Sequence, residues 1–460
     1  MSYAPIAPLT PTDNQNCTCD HALTLPKRLS RSSAQPRRRK SPGSSTAGKR
    51  EYPIIVHSHL CWDWVWQRPQ QFISRLSRRH RVLFVETLKP DPELAAAAAR
   101  FRQPHGFPNI TLLSLQFPAW RWSDGAFIDA ERRRLVREFL AGPCAGQFDK
   151  PVQWFYDPMA VTAFGGHLEE VLTVYDCMDE LSKFAGAPLE IAEREAELLA
   201  RADVVFTGGR RLFEAKSQYH HNCHFYGCGV DVEHFSSARA AATAVPADVA
   251  ALPGPVLGYF GVIDERLDYE LLARLAEAHP DWSVVMLGPV LKVEAKALPR
   301  RPNLHWLGLR PYAELPAFCK GFDLALMPFA LNEATEFINP TKALEYMATG
   351  LQIISTPVPD VVRNFGSVVK VARSAESFIS HCEQALAEPD YGAIQRGLQM
   401  ASENSWDATV EELEAHLRNA LLARKRFREL AQDYGRRRRD GKTRLVPGRR
   451  SLRENSTVAA

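Results

Sequence analysis

The feature that most restricts how this chain can fold is an alternation of short, continuous apolar runs with helical stretches, and it occurs twice. Pro53-Ile54-Ile55-Val56-His57 reads as a buried strand, Gln67 to Ser77 as a helix and Val82-Leu83-Phe84-Val85 as the next strand. Val171 to Tyr175, a helix through Leu189 to Ala202, and Val204 to Thr207 continue the pattern. After a small-residue stretch at 240–255 it restarts with Val256 to Phe260, then Val284 to Leu287, Leu304 to Leu307, Leu324 to Met327 and Ile353 to Ser355. Strands that are apolar along their whole length are buried on both faces, which means parallel sheets covered by helices. The expected fold is therefore α/β, with two tandem Rossmann-like doubly wound domains facing a central cleft.

A chain of 460 residues has room for two such domains and more. The composition shifts suggest these limits: a basic N-terminal segment 1–50, a first domain 51–237, a second domain 238–403, a closing helix 404–423 and a basic segment 424–460. Ser405 is a suitable N-cap for the closing helix, where Trp406, Val410, Leu413, Leu417 and Leu421 recur at helical spacing.

Charge separates these parts more sharply than the net +4 implies. Residues 1–50 carry nine Lys/Arg against Asp13 and Asp20, a balance of +7. Residues 424–460 carry thirteen against four acidic residues, a balance of +9, which leaves −12 for residues 51–423. An acidic body with two basic extensions is expected, and the Ser-, Pro- and Arg-rich first extension reads as disordered. Runs such as Arg37 to Lys40 and Arg436 to Arg439 suit an anionic membrane surface; solvated tails with no partner are the plainer reading. No apolar run reaches the ~18 residues that span a bilayer, and the odd count of nine cysteines suits free thiols, so a cytoplasmic location is expected.

Two weaker signals do not carry a function. Gly43 to Lys49 copies most of a phosphate loop, but Arg50 stands where Ser or Thr is needed and no strand precedes it. His220, His221, Cys223 and His224 are too crowded for one segment to wrap a tetrahedral metal ion.

Glu333 to Gly350 says more. It follows the strand at 324–327, so residues 332–339 should form a loop at the carboxyl edge of the sheet, with Pro340 opening a helix. Helix-end amides and Lys342 can receive an anion, and Glu345, three residues on, can accept from sugar hydroxyls. Phosphate and ribose held side by side describe a nucleotide. An ordinary amphipathic helix with a Lys–Glu pair facing solvent is the alternative.

The segments Trp62 to Gln71, Val174 to Glu180, Gly229-Val230-Asp231 with His234-Phe235, Tyr259 to Arg266, Asn339 to Ala348 and Asn404-Ser405-Trp406 occur in an order that resembles a known family. Over roughly residues 52–423 the chain is similar to glycosyltransferases of the GT-B architecture, of the bacterial group 1 (family 4-like) type. The resemblance implies transfer of a hexose from a nucleotide diphosphate sugar to a glycan or lipid-linked acceptor in surface polysaccharide assembly, with retention of configuration expected; inversion, which would need a carboxylate or His poised as base, is the alternative. It implies donor binding by Gly261, Arg266, Asn339, Thr341, Lys342 and Glu345. No cofactor and no metal are expected, in keeping with the absent Asp-x-Asp pattern.

Two departures stand out. Members often carry paired glutamates separated by seven residues, but counting back from Glu345 gives Phe337, with Glu336 beside it. Many also carry two basic residues in the loop after the second domain's first strand, where only Arg266 is present.

On the acceptor side, His59, Trp62, Trp64 and Arg68 are the candidates, since aromatic rings stack on sugar faces; packing of a loop is the alternative for the tryptophans. Asp63, Asp176 and Glu336 are the candidate catalytic carboxylates, with Asp179 and Glu180 nearby. A sugar-nucleotide 2-epimerase on the same site is the competing enzymatic reading. Nucleic-acid binding through the basic extensions is the competing reading from another class; it is not expected.

Overall fold

The computed structural model describes residues 52–184 and 186–439. The basic segment 1–50, with Gly43 to Lys49, and the end of the second basic segment from 440 lie outside the described residues.

Two α/β units follow one another. The first sheet contains β1 (Ile54–Ser58), β2 (Val82–Thr87), β3 (Ala98–Arg102), β4 (Ile110–Gln116), β5 (Val152–Phe155), β6 (Leu172–Cys177), β7 (Val204–Thr207) and β8 (Cys223–Phe225). Its order is β3-β4-β2-β1-β5-β6-β7-β8, and only the β3–β4 pair at the edge is antiparallel. The second sheet contains β9 (Val256–Phe260), β10 (Ser283–Leu287), β11 (Leu304–Gly308), β12 (Leu324–Met327), β13 (Ile353–Ser355) and β14 (Lys370–Val371). Its order is β11-β10-β9-β12-β13-β14, parallel throughout.

The first strand of each sheet, β1 and β9, is buried at every position and lies inside its sheet, as uninterrupted apolar strands require. β3, β4, β5, β8 and β14 were not foreseen. Leu94 to Arg100 carries a run of alanines that favours helix by propensity, yet its end is drawn into the sheet edge by pairing with β4.

The closing helix runs from Trp406 to Arg439, not to 423, so sixteen residues assigned to a basic tail are helical. Trp406, Val410, Leu413 and Leu417 are all buried, and they cover one face of the first sheet. Burying side chains of this size stabilises by roughly 1.5–3 kcal/mol each.

The chain thus returns to the first unit after completing the second. The two passages between units lie side by side, with the Val230 amide donating to the Asn404 carbonyl at 2.9 Å. Gly229 is required there, because a Cβ would stand 2.8 Å from the Trp406 ring. Arg75, on the Arg68–Leu76 helix, reaches Asp231 in one passage and Asp407 in the other, at 3.7 and 3.0 Å.

Candidate active site

Doubly wound sheets open a crevice beyond the carboxyl ends of their strands, where the strand order reverses. That point lies between β9 and β12 in the second sheet and between β1 and β5 in the first.

Gly261 follows β9 with a φ of +144°, a conformation that strains any other L residue. A Cβ there would stand 2.2 Å from Cε of Lys342 and 2.7 Å from its Nζ. Gly288, after β10, has a φ of +145°, and a Cβ on it would meet the Gly261 carbonyl oxygen at 1.8 Å. The two glycines leave bare backbone at the floor of the crevice. Beside it the Lys342–Thr349 helix begins, one residue after Thr341 and two after Pro340, later than the sequence suggested.

Lys342 lies 5.7 Å from the centre of the Tyr259 ring, and burial pulls the pKa of its ammonium down. One turn along, Glu345 is buried, which pushes its carboxyl up to about 7 against the opposing pull of Lys342. The alternative of a solvent-facing Lys–Glu pair is therefore not what the fold contains. Arg266 holds Asp264 through both nitrogens of its edge, at 2.9 and 2.8 Å.

The first unit closes over this crevice with Phe184 and Asp179. Phe184 lies beneath two cations of the second unit, 4.4 Å from Lys292 Nζ and 5.5 Å from the Arg266 guanidinium. Burial pushes the Asp179 carboxyl up to about 6, with Arg266 opposing. His59 sits at the reversal point of the first sheet, its Nδ1 3.1 Å from the Tyr156 carbonyl, and burial lowers its pKa.

Gly261, Arg266, Lys342 and Glu345 are thus brought together. Several other candidates are not. Asp63 is exposed and paired with Arg102 of β3. Asp176 is completely buried and pairs with Arg68 at 2.8 Å, while Arg68 also donates to the Tyr226 carbonyl at 2.7 Å. These two form a structural ion pair, and neither an acceptor nor a substrate proton can reach Asp176. Glu336 is exposed and paired with Arg211 of the first unit at 2.5 Å.

Trp62 and Trp64 are buried, with Trp62 packed edge-on against Trp66, Phe84 and Phe107. For these two tryptophans the loop-packing alternative holds, because their faces are covered by protein. Asn339 bridges the units: its side-chain amide donates to the Gly208 carbonyl at 3.2 Å, and its backbone carbonyl accepts from the Cys228 thiol at 3.0 Å. Thr341 stands at the N-cap of the Lys342–Thr349 helix, but its side chain makes no capping bond.

Lys292, Phe184 and Asp264 were missed. A signal existed for Lys292, a basic residue five positions beyond β10 and adjacent to the reversal point. Among the described residues, no group of three or more His, Cys, Asp or Glu is placed to hold a metal ion. His220 and His224 instead bond to the Ala202 carbonyl and to Asn222.

Residues 254–388 match the family model Glycosyl transferases group 1. The putative teichuronic acid biosynthesis glycosyltransferase TuaH of Bacillus subtilis is 25% identical over 264 residues; the match covers 52% of this chain and 65% of that protein. Three solved structures share the fold at low identity. Sucrose-phosphate synthase from Thermosynechococcus elongatus superposes with a TM-score of 0.58 at 14% identity, over 81% of this chain and 100% of that one. Anabaena Alr3699/HepE in complex with UDP and glucose gives 0.57 at 13%, over 80% and 100%. The α,α-trehalose 6-phosphate synthase of Burkholderia multivorans gives 0.55 at 12%, over 81% and 99%. Residues 254–388 are thus a Glycosyl transferases group 1 domain, and they form most of the second unit of a chain with the GT-B architecture.

Proposed function

We propose that the chain is a nucleotide-sugar-dependent hexosyltransferase that acts with retention on a glycan or lipid-linked acceptor in surface polysaccharide assembly. The observation that carries this reading is the meeting of Gly261, Lys342 and Glu345 at the reversal point of the second sheet. The relative from Bacillus subtilis, named for teichuronic acid biosynthesis, and the Anabaena neighbour, which holds UDP and glucose, support it.

Departure of a nucleoside diphosphate builds negative charge, and catalysis comes from groups already aimed at that charge. Lys342, Arg266 and the backbone beside Gly261 fill that role, with Glu345 accepting from the ribose. Asp63, Asp176 and Glu336 are all engaged in ion pairs, so none is poised as a general base. In the retaining step, the bond from the anomeric carbon to the acceptor oxygen forms as its bond to phosphate breaks. The acceptor proton passes to the departing phosphate oxygen. Its acceptor would be presented at the cytoplasmic face of a membrane, toward which the basic extensions draw an acidic body.

The test is thermal stabilisation by a panel of nucleoside diphosphates and their sugars. A selective ligand at a hundred times its Kd raises stability by about 2.7 kcal/mol. No shift with any member, or equal shifts for wild type and Lys342→Ala, would overturn the assignment.

A further inference from the structure

We propose that the distal half of the closing helix, residues 422–439, is a membrane-docking element that lays an apolar edge into the headgroup layer of an anionic bilayer. It lies away from the donor crevice, and its test needs no turnover, so it stands or falls separately from the enzymatic reading.

The helix changes character along its length. Up to Leu421 it is held by the first unit, and Arg424 is tied to it as well, donating to the Val171 carbonyl at 2.9 Å and pairing with Asp203 at 3.0 Å. From Lys425 to Asp433 every side chain is exposed. Phe427 is 73% exposed and Leu430 69%, two large apolar side chains one turn apart that together form a contiguous exposed apolar patch.

At about 100° per residue, Ala423, Phe427, Leu430 and Ala431 fall on one edge of the helix. Arg426 flanks that edge on one side, and Arg424 and Arg428 flank it on the other. Of the two acidic residues of the segment, Glu429 lies away from the edge and Asp433 lies beside Arg426 on its flank. This is how an in-plane interfacial helix is built: the apolar edge enters the acyl boundary, while long basic side chains reach up to lipid phosphates.

Charge selects the occupant. Residues 422–439 carry eight Lys/Arg against two acidic residues, beside a body of net −12 over residues 51–423. An anionic bilayer attracts this segment and repels the body. A second copy docked edge to edge would bring the flanking arginines of both helices together, and a nucleic acid would use the arginines while leaving Phe427 and Leu430 in water. Only a surface that is both anionic and apolar beneath satisfies the whole edge.

The test uses the full chain and a Phe427→Ser/Leu430→Ser variant, which removes no buried contact and should melt like wild type. Both are sedimented with vesicles of phosphatidylglycerol and phosphatidylcholine, and with pure phosphatidylcholine, at low and high salt. Wild type is expected to bind the anionic vesicles, with part of the binding surviving high salt, and the variant to bind at least about tenfold less. Equal binding by the variant would overturn the proposal, since attachment would then be electrostatic only. So would equal wild-type binding to neutral vesicles, or a wild-type dimer that the double substitution dissociates.

Discussion

Replacing Gly261 with alanine tests the donor site and its neighbour together. The added methyl would stand 2.2 Å from Cε of Lys342, 2.7 Å from its Nζ and 2.8 Å from the Tyr259 hydroxyl. Carbon atoms in ordinary contact are ~3.5–4 Å apart, so something must move. The Lys342 tip is the flexible partner, so it swings away and the fold survives. The φ of +144° adds strain of roughly 1–3 kcal/mol, visible as a modest drop in Tm. The larger effect is on ligand, because a hydrogen bond from a charged group is worth about 1.5–3 kcal/mol. At tenfold per ~1.4 kcal/mol, the affinity for a nucleoside diphosphate should fall roughly 10- to 150-fold. Lys342→Ala should cause a similar loss. Because the alanine displaces the group that the second substitution deletes, the double variant should be no weaker than the worse single one, to within ~0.5 kcal/mol. Titration calorimetry on wild type and the three variants measures this. Additive losses would show that Gly261 and Lys342 act at separate places, and an unimpaired Gly261→Ala would remove the loop from the site.

Glu345 gives a pH-dependent prediction. Its carboxyl is raised to about 7 by burial, above its unfolded value, so the folded state holds a proton that the unfolded state has released. That stability is fully present below about pH 4 and is lost as pH rises through about 7. Glu345→Gln should therefore melt with wild type at pH 4 but several degrees above it at pH 8, while losing the rise in donor affinity with pH. Melting curves that differ by the same amount at both pH values would refute the assignment. Among the carboxylates, Asp176→Asn should lower the unfolding free energy by about 3–5 kcal/mol, since it leaves the Arg68 guanidinium buried without its counter-ion. Asp63→Asn and Glu336→Gln should change stability by less than about 1 kcal/mol and turnover by less than twofold, measured by denaturant titration and initial rates.

What could be read before folding was whatever is local. β9, β10, β12 and β13 are short apolar runs bounded by turns, and Lys342 and Glu345 lie within one helical turn, so periodicity exposed them. β3 escaped because its pairing with β4, not its own residues, holds it extended. The ion pairing of Asp63, Asp176 and Glu336 was hidden for one cause. Their partners stand 39, 108 and 125 positions away, so nothing in their own segments shows that they are neutralised. Lys292 and Phe184 meet only when the two units close, and no single segment carries that contact.

The side-by-side passages at Val230 and Asn404 have a mechanical consequence. A body joined to another by one flexible strand can swing and twist freely; joined by two strands that are bonded together, it turns about the line they define. Arg75, fastened to both, works as a bracket on that axle. Away from it, the buried Asp360 carboxylate accepts from the Arg210 amide at 2.7 Å, and Lys183–Glu333, Arg211–Glu336 and Glu214–Arg363 also span the units, every one of these paired side chains at least 42% exposed. Pairs so wet resist little, each contributing ~0–1 kcal/mol. Any opening along that spine must therefore break the part-buried Asp360–Arg210 and Asn339–Gly208 bonds before the Phe184 page can lift away from Lys292 and Arg266.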